Sequence, residues 1–129
     1  MPPSLLGRWG LSRTMTDYRS GEQGSATGEV VVSTGRTGLQ WTETVQLNWA
    51  GRVVPATRTY LLVDGDDGWW VRFDDERPFH PWRPGEEVEH LCGPDVYRGL
   101  VTVDGANVRV RWHVTGPAKD LLLQTVLSQ

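Results

Sequence analysis

The sequence has a single cysteine, Cys92. No disulfide can form within the chain, and a reducing cytoplasm is the expected compartment. Positive charge is not in excess: the net charge is −3 and the isoelectric point is near 5.5, so the basic footprint of a nucleic-acid-binding protein is missing. No apolar run approaches the roughly 20 residues of a membrane-spanning helix. The opening MPPSLLGRWGL lacks a charged segment followed by a long apolar core, so no signal peptide is expected. Sustained helical periodicity, internal repeats, low-complexity tracts and linkers are all absent. So are the metal-binding spacings CxxC and HExxH, and GEQG has no strand–loop–helix setting that would cradle a phosphate. With 129 residues the chain suits one domain, residues 1–129, enclosing a modest core.

What the sequence does have is alternation. In LQWTETVQLNW, Leu39, Trp41, Val45, Leu47 and Trp49 share one face, with Gln40, Thr42, Thr44, Gln46 and Asn48 on the other. That period of two marks a strand with one buried face. Glu43 breaks it, a carboxylate in the middle of the apolar row, where burial is costly unless a partner is supplied. This strand is expected over 38–49, and similar ones near 6–16, 25–33, 53–63, 68–74, 87–91, 95–103, 107–115 and 119–128. The glycine- and proline-bearing segments SGEQG, TGRTG, AG, DGDDG, RPFHPWRPGE, CGP, DGAN and TGP read as the turns between them. Consecutive hairpins of this kind predict an all-β, antiparallel up-and-down barrel of about 8–10 strands, closed to remove sticky edges and wide enough for side chains or one small ligand.

Parity says which side chains point inward. Trp9, Leu11 and Met15 share a face with Arg13. Val54, Ala56 and Leu62 share one with Arg58 and Tyr60, and Val101 and Val103 share one with Asp95 and Tyr97. Val108, Val110, Trp112 and Val114 form an apolar row, leaving Arg109, Arg111 and His113 outside. In the ambiguous strand 68–74, Trp69, Val71 and Phe73 are taken as the inner set. If Ala50 and Gly51 are a two-residue turn, then Trp49 faces Arg52, Leu47 faces Val54, Val45 faces Ala56, Glu43 faces Arg58 and Trp41 faces Tyr60. This register keeps both inward faces inward. Arg58 is therefore the expected hydrogen-bonding partner of Glu43, directly or through water.

The phrase LLGRW resembles the glycine–x–tryptophan opening of calycin and lipocalin-like barrels. The ordered set GRW, TETVQL, RTYL, VRFDDERPFH, HLCGPDVY and WHVTGPAKD resembles a bacterial family known mainly as a domain of unknown function, similar to calycins in its expected fold and found alone or beside oxidoreductase domains. The resemblance covers nearly the whole chain. It implies a barrel in which Trp9 plugs one end, with Lys119 as the basic residue packed over it, but it carries no assigned reaction.

The chemistry-bearing residues each have a plainer reading. Glu43 and Arg58 could be an internal ion pair that fixes register, or an acid–base group tuned by an arginine, with Tyr60 able to donate a hydrogen bond to the same ligand. His80 lies in the proline-rich segment, at a mouth or lid; His90 and Cys92 share parity, and Asp95 and Tyr97 follow across a Gly–Pro break. Packing explains a histidine near a strand end more simply than metal ligation, and a zinc site needs three or four convergent ligands. Haem on His80 or His90 is a minor alternative, disfavoured by an interior crowded with tryptophan and charge. A Cys92–His90–Asp95 nucleophile lacks the turn that presents such groups.

The inward polar set is nonetheless larger than a purely structural barrel needs, since each unpaired buried polar group costs roughly 1–3 kcal/mol. Apolar walls with a few convergent polar groups describe a small-molecule pocket. The expected function is that of a cofactor-independent acid–base enzyme, a cyclase, isomerase or dehydratase of specialised metabolism. Its ligand would be hydrophobic or aromatic with a carbonyl or acidic group. Glu43, Arg58, Tyr60, His90 and Tyr97 are the catalytic candidates; Arg13, Trp41, Trp49, Phe73, His80, Cys92, Asp95 and Trp112 are the ligand-binding ones. The alternative is a barrel that carries a hydrophobic ligand unchanged. No metal, cofactor, nucleic acid or membrane partner is expected, and a homodimer is compatible with either reading.

Overall fold

The structure is a computed structural model and describes residues 2–129. A 3-10 turn, Pro2–Leu5, leads into ten strands: β1 (Gly7–Asp17), β2 (Gln23–Thr34), β3 (Leu39–Trp49), β4 (Arg52–Gly65), β5 (Gly68–Phe73), β6 (Pro78–Pro81), β7 (Glu87–Cys92), β8 (Asp95–Asp104), β9 (Asn107–Gly116) and β10 (Lys119–Ser128). They form one antiparallel sheet in the order β6-β5-β4-β3-β2-β1-β10-β9-β8-β7. The chain's first and last strands are thus hydrogen-bonded neighbours, and the sheet curls into a nearly closed up-and-down barrel, as the alternation and turn spacing predict. Its two ends, β6 and β7, are joined by side chains rather than by a strand ladder: the Phe79 ring stands 5.0 Å from His90, edge to face. Among the described residues no helix is long and apolar enough to cross a membrane.

The β3–β4 hairpin has the expected register, including Trp41 opposite Tyr60, Glu43 opposite Arg58 and Trp49 opposite Arg52. Ala50 and Gly51 both have positive φ, 51° and 76°. Such a pair turns the chain with the twist that flanking strands require, which is why a two-residue connection suffices here. Inward positions build the core: Val30, Leu62, Val108, Val114 and Leu127 are almost wholly buried, and Trp9, Leu11, Trp41 and Val71 join them. Val71 is buried, with Trp69 and Phe73 packed against the core, so the inner face of β5 is the one parity favours.

Four expectations are corrected. The segment RPFHPWRPGE is not only a turn: Pro78–Pro81 is a strand, β6, at the edge of the sheet, where a residue without an N–H is tolerated. Its pairing with β5 slips, with Val71 opposite His80 but Arg72 opposite Pro78, leaving Phe79 as the unmatched residue of a bulge. Second, Val54 and Ala56 are exposed, Val54 by 45%. β5 is short and pairs only with Tyr60–Gly65, so the first half of β4 has β3 on one side and no strand on the other. Third, Val103, at the end of β8, is 46% exposed. Fourth, Lys119 is far from Trp9. In the β1–β10 register Leu11 lies opposite Leu127 and Asp17 opposite Leu121, so Lys119 belongs to the other end of the barrel. There its Nζ is 3.2 Å from Asp95 Oδ2, while the Trp9 indole N–H donates to the Leu5 carbonyl at 2.8 Å.

Candidate functional site

The barrel interior holds a chamber of about 100 Å³, walled mostly by apolar and aromatic side chains and bearing Arg13, Trp41, Glu43, Arg58, Tyr60, His80, Trp112 and Thr125. A wider cleft of about 650 Å³ lies outside it, between the unpaired half of β4 and the strands β7 and β8. Arg58, Tyr60 and Phe79 line both spaces and so form the wall between them. Drug-sized ligands occupy roughly 300–1,000 Å³. The chamber alone therefore suits a small group, and the cleft can take the rest of a larger molecule.

Glu43 is buried in the chamber, and each of its carboxylate oxygens accepts one hydrogen bond. Arg13 Nη2 donates to Oε1 at 2.9 Å and the Trp41 indole N–H donates to Oε2 at 3.2 Å. The partner of Glu43 is thus Arg13, and not Arg58 as the hairpin register suggests. The reason lies on β2, which separates β1 from β3. Its inward positions opposite Arg13 and Leu11 are Ala26 and Gly28. With almost no side chain there, the long Arg13 crosses β2 to reach Glu43 and donates its Nε to Thr125 Oγ1 at 2.7 Å on the way. At Gly28 a Cβ would collide with the backbone of Thr44, so the close approach of β2 to β3 there requires glycine.

Arg58 instead donates Nη1 to the Tyr60 hydroxyl at 3.1 Å, at the boundary between chamber and cleft. Burial pushes the Tyr60 phenol above its ordinary pKa, opposed by the nearby Arg58 charge. Tyr60 therefore keeps its proton and has it free to donate. The same contact, with Glu43 adding to it, holds Arg58 firmly protonated against the opposing effect of burial.

His80 is buried, and burial lowers its pKa to about 4, so at neutral pH the ring is uncharged. Its Nδ1 is 2.8 Å from the Pro81 carbonyl. A carbonyl only accepts, so Nδ1 carries the hydrogen and Nε2 bears the lone pair. The β6 bulge re-aims two consecutive side chains, so that Phe79 and His80 both line the chamber. Phe79 stacks on Phe73 at 4.7 Å and on Trp112 at 4.8 Å, closing the seam with aromatic faces. Trp112 lies over Gly99, whose missing Cβ would stand 2.5 Å from the indole.

Of the residues singled out from sequence, Phe73, His90, Cys92 and Tyr97 line the outer cleft rather than the chamber. His90 packs edge-on against Phe73, Phe79 and Tyr97, and Cys92 is exposed. Two residues join neither space. Trp49 covers Gly24 at the far end of β3, and Asp95 is the first residue of β8, opposite Cys92 and bonded to Lys119. Sequence reasoning missed Thr125, Phe79 and Trp82 as wall residues. For Trp82 a signal existed, its spacing of two from His80, but the flanking prolines hid the strand. Among the described residues no group of three or more His, Cys, Asp and Glu side chains is placed to hold a metal ion.

A comparison with curated proteins finds no match. One family model, described as "Family of unknown function (DUF6314)", matches residues 5–129, and the chain belongs to that family.

Proposed function

We propose that the protein binds a mostly apolar small molecule carrying a carbonyl or acidic group and moves a proton on it without a cofactor, as a cyclase, isomerase or dehydratase does. The observation that carries this reading is the pairing, in one apolar chamber, of a phenol that retains its proton with a fixed carboxylate and two guanidinium groups. Tyr60 supplies the proton, and Glu43 receives one or stabilises the charge opposite it. Arg58 and Arg13 act where negative charge develops on an enolate or carboxylate, Arg13 the more strongly because it is the more deeply buried of the two. Trp41, Trp112 and Phe79 hold the flat part of the ligand in one conformation, reducing the entropic part of the barrier. Tyr97 and His90, in the cleft, orient the portion of the ligand that projects outward. A bacterial, cytoplasmic setting in specialised metabolism and a calycin-like ancestry belong to the same proposal, resting on the lone cysteine and the GRW opening.

One observation favours a carrier instead: both oxygens of Glu43 already accept hydrogen bonds from the protein. A carboxylate so occupied suits an anchor as well as a base. Native mass spectrometry of the protein purified from its own host, followed by resupply of the bound compound, separates the two. Product formed by wild type and lost in Glu43→Gln and Tyr60→Phe supports the enzyme. A compound that binds and is recovered unchanged makes the protein a carrier.

A further inference from the structure

Trp82 follows β6 and is fixed there by its backbone N–H, which donates to the Trp69 carbonyl at 2.8 Å. Its indole Nε1 is shielded from solvent and, among the described residues, is the one buried side-chain nitrogen or oxygen with no hydrogen-bonding partner in the protein. Buried donors are nearly always satisfied, and Trp82 is itself a wall residue of the chamber, so an acceptor carried by a ligand there is the partner open to it. His80, two residues earlier on the same segment, lines the same chamber and offers the opposite chemistry, the Nε2 lone pair left when Nδ1 donates to Pro81. Its ring is locked edge-on against Phe79 at 4.8 Å and Trp112 at 5.1 Å. One short stretch of chain thus brings an unpartnered donor and an acceptor to the wall of one small space.

We propose that His80 and Trp82 form a recognition end of the chamber for an uncharged ligand group that carries an acceptor and a donor on neighbouring atoms, such as a carboxamide, an enol or a protonated acid. The proposal rests on the small-molecule reading above and names the chemistry of the group that enters first. Charge decides against the alternatives. A carboxylate here would face the His80 lone pair, while the chamber's two guanidinium groups, Arg13 and Arg58, are already engaged by Glu43 and Tyr60. An ammonium group would face the Trp82 N–H. The low pKa of His80 keeps the lone pair available throughout the neutral range. Any anionic part of the ligand is then left to Arg58 and the outer cleft.

Single-ring probes of matched shape test this: benzamide, benzoate, acetophenone and toluene, titrated by ligand-observed NMR and by the indole region of the protein's ¹H–¹⁵N spectrum. Benzamide is expected to move the Trp82 indole resonance downfield, whereas toluene leaves its hydrogen-bonding shift unchanged. Trp82→Phe should weaken benzamide and acetophenone about fivefold while leaving toluene within about twofold, the effect of one hydrogen bond. His80→Phe should weaken benzamide and spare acetophenone, which has no donor. Benzoate should bind less tightly than benzamide. If none of the four binds wild type, the small-molecule reading itself fails and takes this proposal with it. If toluene binds but the Trp82 resonance does not respond to benzamide, or benzoate is preferred, the recognition end is overturned while the pocket stands. The spectral shift is read on wild type and does not depend on either variant folding.

Discussion

Replacing Arg13 with methionine removes the cation that holds Glu43 while keeping the length and apolar body of the side chain. The lost contacts are the 2.9 Å ion pair to Glu43 Oε1 and the 2.7 Å bond to Thr125 Oγ1. The Glu43 side chain is 8% exposed and that of Arg13 is 20% exposed. Breaking a fully buried pair costs about 3–5 kcal/mol, because the surviving charge is stranded. Partial solvent access at Arg13 and the remaining Trp41 bond to Glu43 place the expected cost near the lower end, about 3 kcal/mol. With an unfolding entropy of about 2.1 cal/mol/K per residue, a loss of that size lowers the melting midpoint of a 129-residue chain by about 11 °C. Urea denaturation of wild type, Arg13→Met, Glu43→Met and the double variant gives the coupling directly. An interaction energy of about 2 kcal/mol is expected, within the range for residues in contact. The same cycle with Arg58→Met, an exposed residue bonded to Tyr60, should give less than about 1 kcal/mol. A larger coupling to Arg58 than to Arg13 would refute the assignment of the pair.

Three further outcomes are expected. His80 is neutral in the folded protein, with a pKa of about 4 against the ordinary 6.5, so its contribution to stability is present above pH 6.5 and is lost as pH falls toward 4. The gap amounts to roughly 3 kcal/mol, and the difference in denaturation free energy between wild type and His80→Phe should shift by about that much across this window; a pH-independent difference contradicts a buried neutral ring. Phe79→Ala removes the ring between Phe73 and Trp112 and should cost about 3–5 kcal/mol by opening the seam; a loss below 1 kcal/mol would mean that the seam is held by something else. Gly99→Ala drives a methyl group into the Trp112 indole and should cost about 1–3 kcal/mol, with the Trp112 indole resonance displaced; an unmoved resonance would put the ring elsewhere.

The fold was largely legible because strand alternation and turn residues are local signals. The AG turn between β3 and β4 fixes a register that places Glu43 opposite Arg58, and the structure has that register. The ion pair was not legible in the same way. Pairing arithmetic yields neighbours within a sheet, whereas a curled sheet also brings together side chains two strands apart. The hint was present in Ala26 and Gly28, whose small size lets Arg13 reach over β2, but only the closed barrel gives that gap a meaning. β6 was obscured because Pro78 and Pro81 read as turn residues, and edge strands are where that reading fails. The bulge that turns Phe79 and His80 inward together breaks the parity rule on which every other inward assignment rested. Trp49 obeyed parity and still missed the chamber, since parity gives the face of a strand and not the height along the barrel.

The proposal that the chamber moves protons on a bound carbonyl compound is open to a direct test. That test is α-proton exchange of phenylacetone in deuterium oxide at neutral pD, followed by proton NMR with wild type, Glu43→Gln and Tyr60→Phe. The account predicts exchange above the buffer rate with wild type, reduced by roughly a hundredfold or more in either variant, the usual contribution of a positioned acid or base. Phenylacetone that binds wild type, as judged by broadening of its ring signals, yet exchanges only at the buffer rate would contradict it.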